Sequence, residues 1–189
     1  MVLDNANLVQ NYIRHCSSAL HDMPCLKSLK VVLDLANGAT VSVAKSVFSN
    51  FDMEFILINE SPNGVNINLN CGATDLKQLQ AEVIACQADC GIAFDGDGDR
   101  LMMVDHLGNV VDGDQLLSIL VQAEIKAGSV PGVAGTQMTN LGFEKLMQKN
   151  LVPFKRARVG DRYVLELCHR EGWTLGGESS GHIINLKYA

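Results

Sequence analysis

The sequence predicts an α/β fold made of two consecutive units, with mixed sheets flanked by helices. Three observations predict it. Apolar runs of strand length alternate with apolar stripes at helical spacing. Gly, Asn, Pro and Asp punctuate the junctions between them. The first half reads β-α-β-α-β, and strands joined through helices re-enter a sheet in the same direction, so these strands are expected to run parallel under packed helices. The 189 residues allow one domain or two small ones, and 47% apolar against 19% charged residues can bury a core.

Leu29-Lys30-Val31-Val32-Leu33 reads as a buried strand, broken by Asn37-Gly38. Apolar residues at 41, 44, 47, 48 and 51 predict a helix over 39–50. Phe55-Ile56-Leu57-Ile58 is a second strand, and Ser61-Pro62-Asn63-Gly64 a turn. Thr74 is expected to cap a helix with Asp75 in its first turn and with Leu76, Leu79, Val83 and Ile84 on its apolar face. Gly91-Ile92-Ala93-Phe94 is a third strand. Leu101 to Val104 and Val110-Val111, joined through His106-Leu107-Gly108-Asn109, predict a hairpin.

The second half begins with a strongly apolar helix from Leu116 to Ala127, entered through Asp112-Gly113-Asp114. A strand follows from Gly132 to Thr136, then a helix from Leu141 to Lys149 capped by Asn140. Phe154 to Val159 reads as a strand and Tyr163 to Glu171 as a helix after Gly160-Asp161. Trp173 to Leu175 and His182 to Leu186 flank a Gly-rich loop. The units are expected at 1–108 and 109–189. The second stops on a strand, so the chain reads as a piece of a longer protein.

The net charge of −6 argues against nucleic acid and anionic membranes, both of which reward a basic face. No apolar run approaches the ~18 residues that span a bilayer. Met1-Val2-Leu3-Asp4-Asn5 does not open a secretory leader. The six Cys, at 16, 25, 71, 86, 90 and 168, form no C-x-x-C pair and stand at no zinc spacing with His. They read as small buried thiols, and the expected compartment is the reducing cytoplasm.

Chemistry concentrates in Phe94-Asp95-Gly96-Asp97-Gly98-Asp99-Arg100. Three carboxylates at alternate positions share one side of an extended stretch, and the intervening glycines let the backbone curl. Charges held so close repel unless a cation binds, and an all-oxygen set selects Mg²⁺, Ca²⁺ or Mn²⁺. An EF-hand counted from Asp95 would need Gly at position 100 and Glu at 106, where Arg100 and His106 stand. Three protein ligands leave room for water or phosphate, which suits Mg²⁺, and Arg100 is a natural phosphoryl partner. The plain alternative is an acidic surface turn. P-loop, dinucleotide and nucleophile-elbow motifs are absent.

A second polar loop, Gly176-Gly177-Glu178-Ser179-Ser180-Gly181-His182, gathers an acid, two hydroxyls and an imidazole, a set able to hold several sugar hydroxyls. Its plain alternative is a hairpin with a polar tip. Gly160-Asp161-Arg162 reads either as a helix start with a surface Arg or as a phosphate or hydroxyl contact.

Asp95-Gly96-Asp97-Gly98-Asp99-Arg100 resembles the metal loop of the α-D-phosphohexomutases, and Glu178-Ser179-Ser180-Gly181-His182 resembles their sugar loop. Order and separation fit as well. Leu35-Ala36-Asn37-Gly38-Ala39-Thr40, Pro62-Asn63-Gly64-Val65-Asn66-Ile67-Asn68, Gly72-Ala73-Thr74-Asp75, Val111-Asp112-Gly113-Asp114-Gln115 and Val159-Gly160-Asp161-Arg162-Tyr163-Val164 extend the likeness over nearly the whole chain. Within the family it is greatest to the branch acting on glucosamine phosphates. The resemblance implies Mg²⁺ on Asp95, Asp97 and Asp99, Arg100 at the phosphoryl group, and Glu178, Ser180 and His182 on the sugar. Gly160, Asp161 and Arg162 would lie near the distal side of the substrate.

The implied reaction interconverts glucosamine 6-phosphate and glucosamine 1-phosphate and feeds UDP-N-acetylglucosamine and bacterial wall precursors. Mannose or glucose phosphates are the alternative substrates. The family's phosphoserine loop and fourth-domain phosphate loop have no counterpart here, so the chain reads as the second domain and most of the third. Alone it is expected to bind Mg²⁺ weakly, to turn nothing over, and to self-associate through surfaces that the missing first and fourth domains would cover. Two rivals stand beside this reading. An aspartate-nucleophile phosphatase of the haloacid-dehalogenase type would place Thr or Val where Asp99 stands. A non-enzymatic metal or sugar-phosphate binding module would bind without turnover.

Overall fold

A computed structural model describes residues 5–18, 26, 28–128 and 130–188. Met1–Asp4 and Cys25, which entered the readings of leader and thiols, lie outside them. By internal contacts the chain divides into two compact units, Met1–Gly98 with Val104–Val110, and Asp99–Met103 with Val111–Ala189.

The first unit opens with α1 (Asn5–Ser18), a helix that the sequence reading did not foresee. Strands β1 (Lys30–Asp34), β2 (Glu54–Ile58), β3 (Cys90–Phe94), β4 (Leu101–Asp105) and β5 (Val110–Val111) follow, in sheet order β2-β1-β3-β4-β5. β1 pairs in parallel with β2 and with β3, as the β-α-β-α-β order requires. Alternation along β1 divides the core. Val32 packs with Leu79, Val83 and Ala93, while Val31 and Leu33 pack on the other side with Leu35 and Ala44. α2 (Ala44–Phe48) covers one face through Phe48, whose ring meets Phe55 and Phe94. α3 (Lys77–Cys86) covers the other through Leu79 and Val83.

Two expected elements come out differently. The helix over 39–50 splits into a 3₁₀ turn, Ala39–Ser42, and the short α2. Val43 stands between them at φ −126°, outside helical geometry, in a stretch crowded with β-branched Thr40, Val41, Val43 and Val47. Thr74 does not cap α3. It ends a 3₁₀ turn, Gly72–Thr74, and Asp75 instead accepts from the backbone N–H of Lys77 at 3.3 Å. Ile84, expected on the buried face, is exposed. Of the thiols read as buried, Cys71 and Cys168 are buried, while Cys16, Cys86 at the end of α3 and Cys90 at the start of β3 are half-buried.

The second unit holds β6 (Val133–Thr136), β7 (Phe154–Ala157), β8 (Leu175–Gly177) and β9 (Ile183–Asn185) in order β7-β6-β8-β9. β7 and β8 flank β6 in parallel, and β9 runs antiparallel to β8, which makes this sheet mixed. α4 (Gly113–Ala127) and α5 (Leu141–Lys149) bury Leu117, Val121, Phe143 and Met147 against Val133 and Leu175. α6 (Asp161–Glu171) packs Val164, Leu167 and Cys168 with Ala134 and Trp173.

Caps explain where these helices start. Asp112 and Gln115 form a reciprocal capping box, each side chain accepting from the other's backbone N–H at 2.9 Å, so α4 starts at Gly113 rather than at Leu116. Asn140 caps α5 as expected, accepting from Phe143 N–H at 2.8 Å. α6 starts at Asp161 with Gly160 as its cap, which leaves Asp161 in the first turn, where negative charge suits the helix dipole.

Candidate active site

β1, β2 and β3 end at one edge of the first sheet, the carboxyl edge where α/β folds gather ligands. Asp95 follows β3 directly and is buried, while Asp97 and Asp99 are exposed. One carboxylate oxygen from each lies within 4.8 Å of the other two. The loop curls because Gly98, at φ +79°, donates its N–H to both the side chain (3.1 Å) and the carbonyl (3.2 Å) of Asp95. It is gripped from outside as well. Ala39 N–H donates to the Gly96 carbonyl at 2.8 Å, and a Cβ on Gly38 would lie 2.4 Å from that oxygen. Only glycine allows this approach.

These donors fit a hard divalent cation. All are carboxylate oxygens, their mutual repulsion favours a positive guest, and two of the three stand on exposed side chains. Arg100 follows, its Nε 3.9 Å from Asp99 Oδ1.

The second polar loop forms within the second unit. Glu178 is 5% exposed and holds two partners. Its Oε1 accepts from Gly160 N–H at 2.8 Å, and its Oε2 lies 2.8 Å from His182 Nδ1. The other ring nitrogen, Nε2, stands 3.1 Å from Asp99 Oδ2. Each ring nitrogen of the imidazole thus stands within hydrogen-bond distance of a carboxylate oxygen. Ser180 Oγ lies 3.2 Å from His182 Nδ1.

The backbone of this loop is fixed too. Glu178 N–H donates to His182 O, Gly181 N–H to Glu178 O, and Leu101 N–H to Gly181 O, at 3.0, 3.0 and 2.9 Å. Gly113 N–H donates to Ser179 O at 3.2 Å, and a Cβ on Gly113 would fall 1.9 Å from Glu178 O, so the start of α4 admits only glycine there.

Of the residues singled out by sequence, the structure brings Asp95, Asp97 and Asp99 together. It also brings Gly160, Glu178, Ser180 and His182 together, with Asp99 joined to that group through His182. Asp161 is exposed in the first turn of α6. Arg162 is exposed, pairs with Glu166 at 3.6 Å and lies over the Tyr163 ring at 5.2 Å. An exposed pair of this kind contributes little to stability.

Two buried acids escaped the sequence reading. Asp34 ends β1, and Asp114 sits in the first turn of α4 with Oδ2 accepting from the backbone and side-chain N–H groups of Asn140 at 2.8 and 2.9 Å. The signal for Asp34 is an acid closing an apolar run just before Asn37-Gly38. Asp114 carries none beyond its place in Asp112-Gly113-Asp114.

Comparison with known proteins agrees with this layout. Residues 10–108 match the family described as phosphoglucomutase/phosphomannomutase, alpha/beta/alpha domain II, and residues 112–189 match domain III of the same family. A phosphoglucosamine mutase of Pectobacterium carotovorum is 51% identical over 176 residues, 93% of this chain and 40% of that protein. One from Teredinibacter turnerae is 53% identical over 174 residues, 92% of this chain and 39% of that protein. The chain therefore spans about 40% of the length of these relatives.

Among solved structures, a phosphoglucomutase/phosphomannomutase family protein from Burkholderia thailandensis superposes with a TM-score of 0.84 at 22% identity, covering 96% of this chain and 40% of that one. An N-acetylphosphoglucosamine mutase of Aspergillus fumigatus, solved with GlcNAc-6P and magnesium, gives 0.71 at 20% identity, covering 93% and 37%. At these identities the likeness establishes the fold. Among the described residues, no helix is long and apolar enough to cross a membrane.

Proposed function

The chain belongs to the phosphoglucomutase/phosphomannomutase family, and from that premise we propose that it forms the metal- and sugar-holding part of a phosphoglucosamine mutase, an isomerase that interconverts glucosamine 6-phosphate and glucosamine 1-phosphate. The observation that carries the reading is the meeting of three carboxylate oxygens within 4.8 Å at the carboxyl edge of a parallel sheet. The choice of glucosamine phosphate over mannose or glucose phosphate rests on the 51% identity to phosphoglucosamine mutases.

In this reading Asp95, Asp97 and Asp99 hold Mg²⁺. When bound, the ion neutralises charge on the transferring phosphoryl group, which is the main demand of phosphoryl transfer. Arg100 holds phosphoryl oxygens through its forked donors. Glu178, fixed by Gly160 N–H, accepts from sugar hydroxyls, Ser180 adds a hydroxyl, and His182 keeps Glu178 and Asp99 in register. Gly160, Asp161 and Arg162 border the distal end of the substrate. The family resemblance assigns the phosphoserine donor and a further phosphate loop to the first and fourth domains, which this chain does not match. The chain alone therefore turns over nothing, and its exposed Val65, Ile67 and Leu69 are available to self-association or to those domains. Free thiols at Cys16, Cys71, Cys86, Cys90 and Cys168 suit the reducing cytoplasm as its compartment.

Grafting residues 10–189 into the Pectobacterium relative, in place of the matching segment, tests this. The chimera is expected to interconvert the glucosamine phosphates only with Mg²⁺ present, and to lose that turnover with Asp97→Ala. A folded chimera that is inactive on glucosamine 6-phosphate, or indifferent to Asp97→Ala, overturns the reading.

A further inference from the structure

Asp34 lies at the carboxyl end of β1, the strand between β2 and β3, and is fully buried. A carboxylate taken out of water needs donors, and this one has three. Oδ1 accepts from Ala36 N–H at 2.9 Å and from Asn59 Nδ2 at 3.0 Å, and Oδ2 accepts from Gly72 N–H at 2.8 Å. The donors come from three separate segments, those after β1, after β2 and before α3. All three donor residues lie at positive φ, Gly72 at +69°, Asn59 at +53° and Ala36 at +53°, and the turn at Ala36 continues into Asn37 at +48°. The bond from Ala36 N–H to Asp34 closes the chain just where this turn is made.

The segments that Asp34 ties down are those that press on the aspartate loop. After Ala36, Gly38 abuts the Gly96 carbonyl and Ala39 N–H donates to it at 2.8 Å. The Ala36 carbonyl accepts from Asn68 N–H at 2.9 Å, and Ile67 and Asn68 lie against Gly96, where an added Cβ would come within 2.6 Å of Ile67 and 2.8 Å of the Asn68 amide nitrogen. Gly72 stands against Phe94, and a Cβ on it would lie 2.6 Å from the Phe94 carbonyl. Phe94 and Gly96 are the neighbours of Asp95 in the chain. The contacts that Gly38, Ala39, Ile67, Asn68 and Gly72 make on Phe94 and Gly96 thus come from segments anchored, directly or through adjoining residues, on a single carboxylate.

We propose that Asp34 is a positioning residue for the aspartate loop: by accepting from Ala36, Asn59 and Gly72 it locks the segments packed on Phe94 and Gly96, and so sets how Asp95 and the residues after it present oxygens to a cation. Asp34 itself is fully buried and stands outside the group of carboxylates that can share an ion. The inference rests on the metal reading of Asp95, Asp97 and Asp99. It adds that their affinity depends on a buried acid outside the loop, as metal sites depend on the groups that orient their ligands.

The probe is Mn²⁺ alone, titrated into the 189-residue chain and followed by the EPR signal of the free ion. Asp34→Asn keeps the shape but puts an amide N–H₂ where one of the donors needs an acceptor. It is expected to weaken Mn²⁺ binding by on the order of tenfold. Asn59→Gly, at a half-buried site whose φ of +53° suits glycine, removes one donor without opening the core and is expected to weaken binding in the same direction by less. Val83→Ala, a core truncation in the same unit, serves as the control. It is expected to lower the unfolding midpoint and leave the Mn²⁺ affinity unchanged. Wild type binding Mn²⁺ while both Asp34→Asn and Asn59→Gly match its affinity overturns the inference alone. Affinity lost equally in Val83→Ala overturns it too, since any loosening of the unit would then suffice. A wild-type chain that binds no Mn²⁺ removes the metal reading, and the inference with it.

Discussion

Asp114 shows how one buried side chain sets a pH dependence. Burial pushes its carboxyl above the usual range, and nearby Asp112 pushes the same way, while the Asn140 donors and Arg156 pull it down. Its Oδ1 is buried without a hydrogen-bond partner. A raised carboxyl binds its proton more tightly folded than unfolded. It therefore favours the fold below the ordinary value of about 4, and that contribution is lost as pH rises from there through the raised folded value. Trp173 is the only tryptophan and lies in the core of the second unit, so its fluorescence follows that unit. The urea midpoint of Asp114→Asn is expected to gain on that of the wild type as pH goes from about 4 to 7, each tenfold difference in proton affinity between folded and unfolded chain being worth about 1.4 kcal/mol. A constant difference across that range contradicts the assignment.

At the scale of elements, local chemistry decides where helices begin, and it was only partly legible in the sequence. The strands were plain because Val31-Val32-Leu33, Phe55 to Ile58 and Ile92 to Phe94 are apolar runs with turn residues behind them. Asn140 was plain as a cap because a helix stripe follows it. Asp112 and Gln115 were not, because Gly113 and Asp114 look like turn residues until the capping box joins the residues around them. The stripe over 39–50 promised one helix, but apolar spacing says nothing of Val43, whose backbone leaves helical geometry. Asp112→Ala is expected to cost the second unit about 1 kcal/mol in urea unfolding followed at Trp173, with Asp112→Ser near wild type. Equal stability of all three would show that packing of Leu117 and Val121, rather than the cap, fixes the start of α4.

At the scale of the whole molecule, the sequence made the donors legible and left their supports hidden. Asp95, Asp97 and Asp99 announce themselves by spacing. Glu178, Ser180 and His182 share one loop, so their proximity was also readable. The bridge from His182 to Asp99 was not, because it joins residues 83 apart in sequence. Asp34 was missed for a related reason: its three partners lie in segments that meet only after the sheet has formed. Local pattern reveals groups that repeat at close spacing and conceals those whose role depends on topology.

The central claim is that one divalent ion sits on the three aspartates, and Mn²⁺ binding with Mg²⁺ as competitor tests it most directly. The account predicts one saturable Mn²⁺ site per chain, displaced by Mg²⁺ and abolished by Asp97→Asn without loss of fold. A chain that binds no Mn²⁺, or one in which Asp97→Asn binds it as tightly as wild type, would contradict the account.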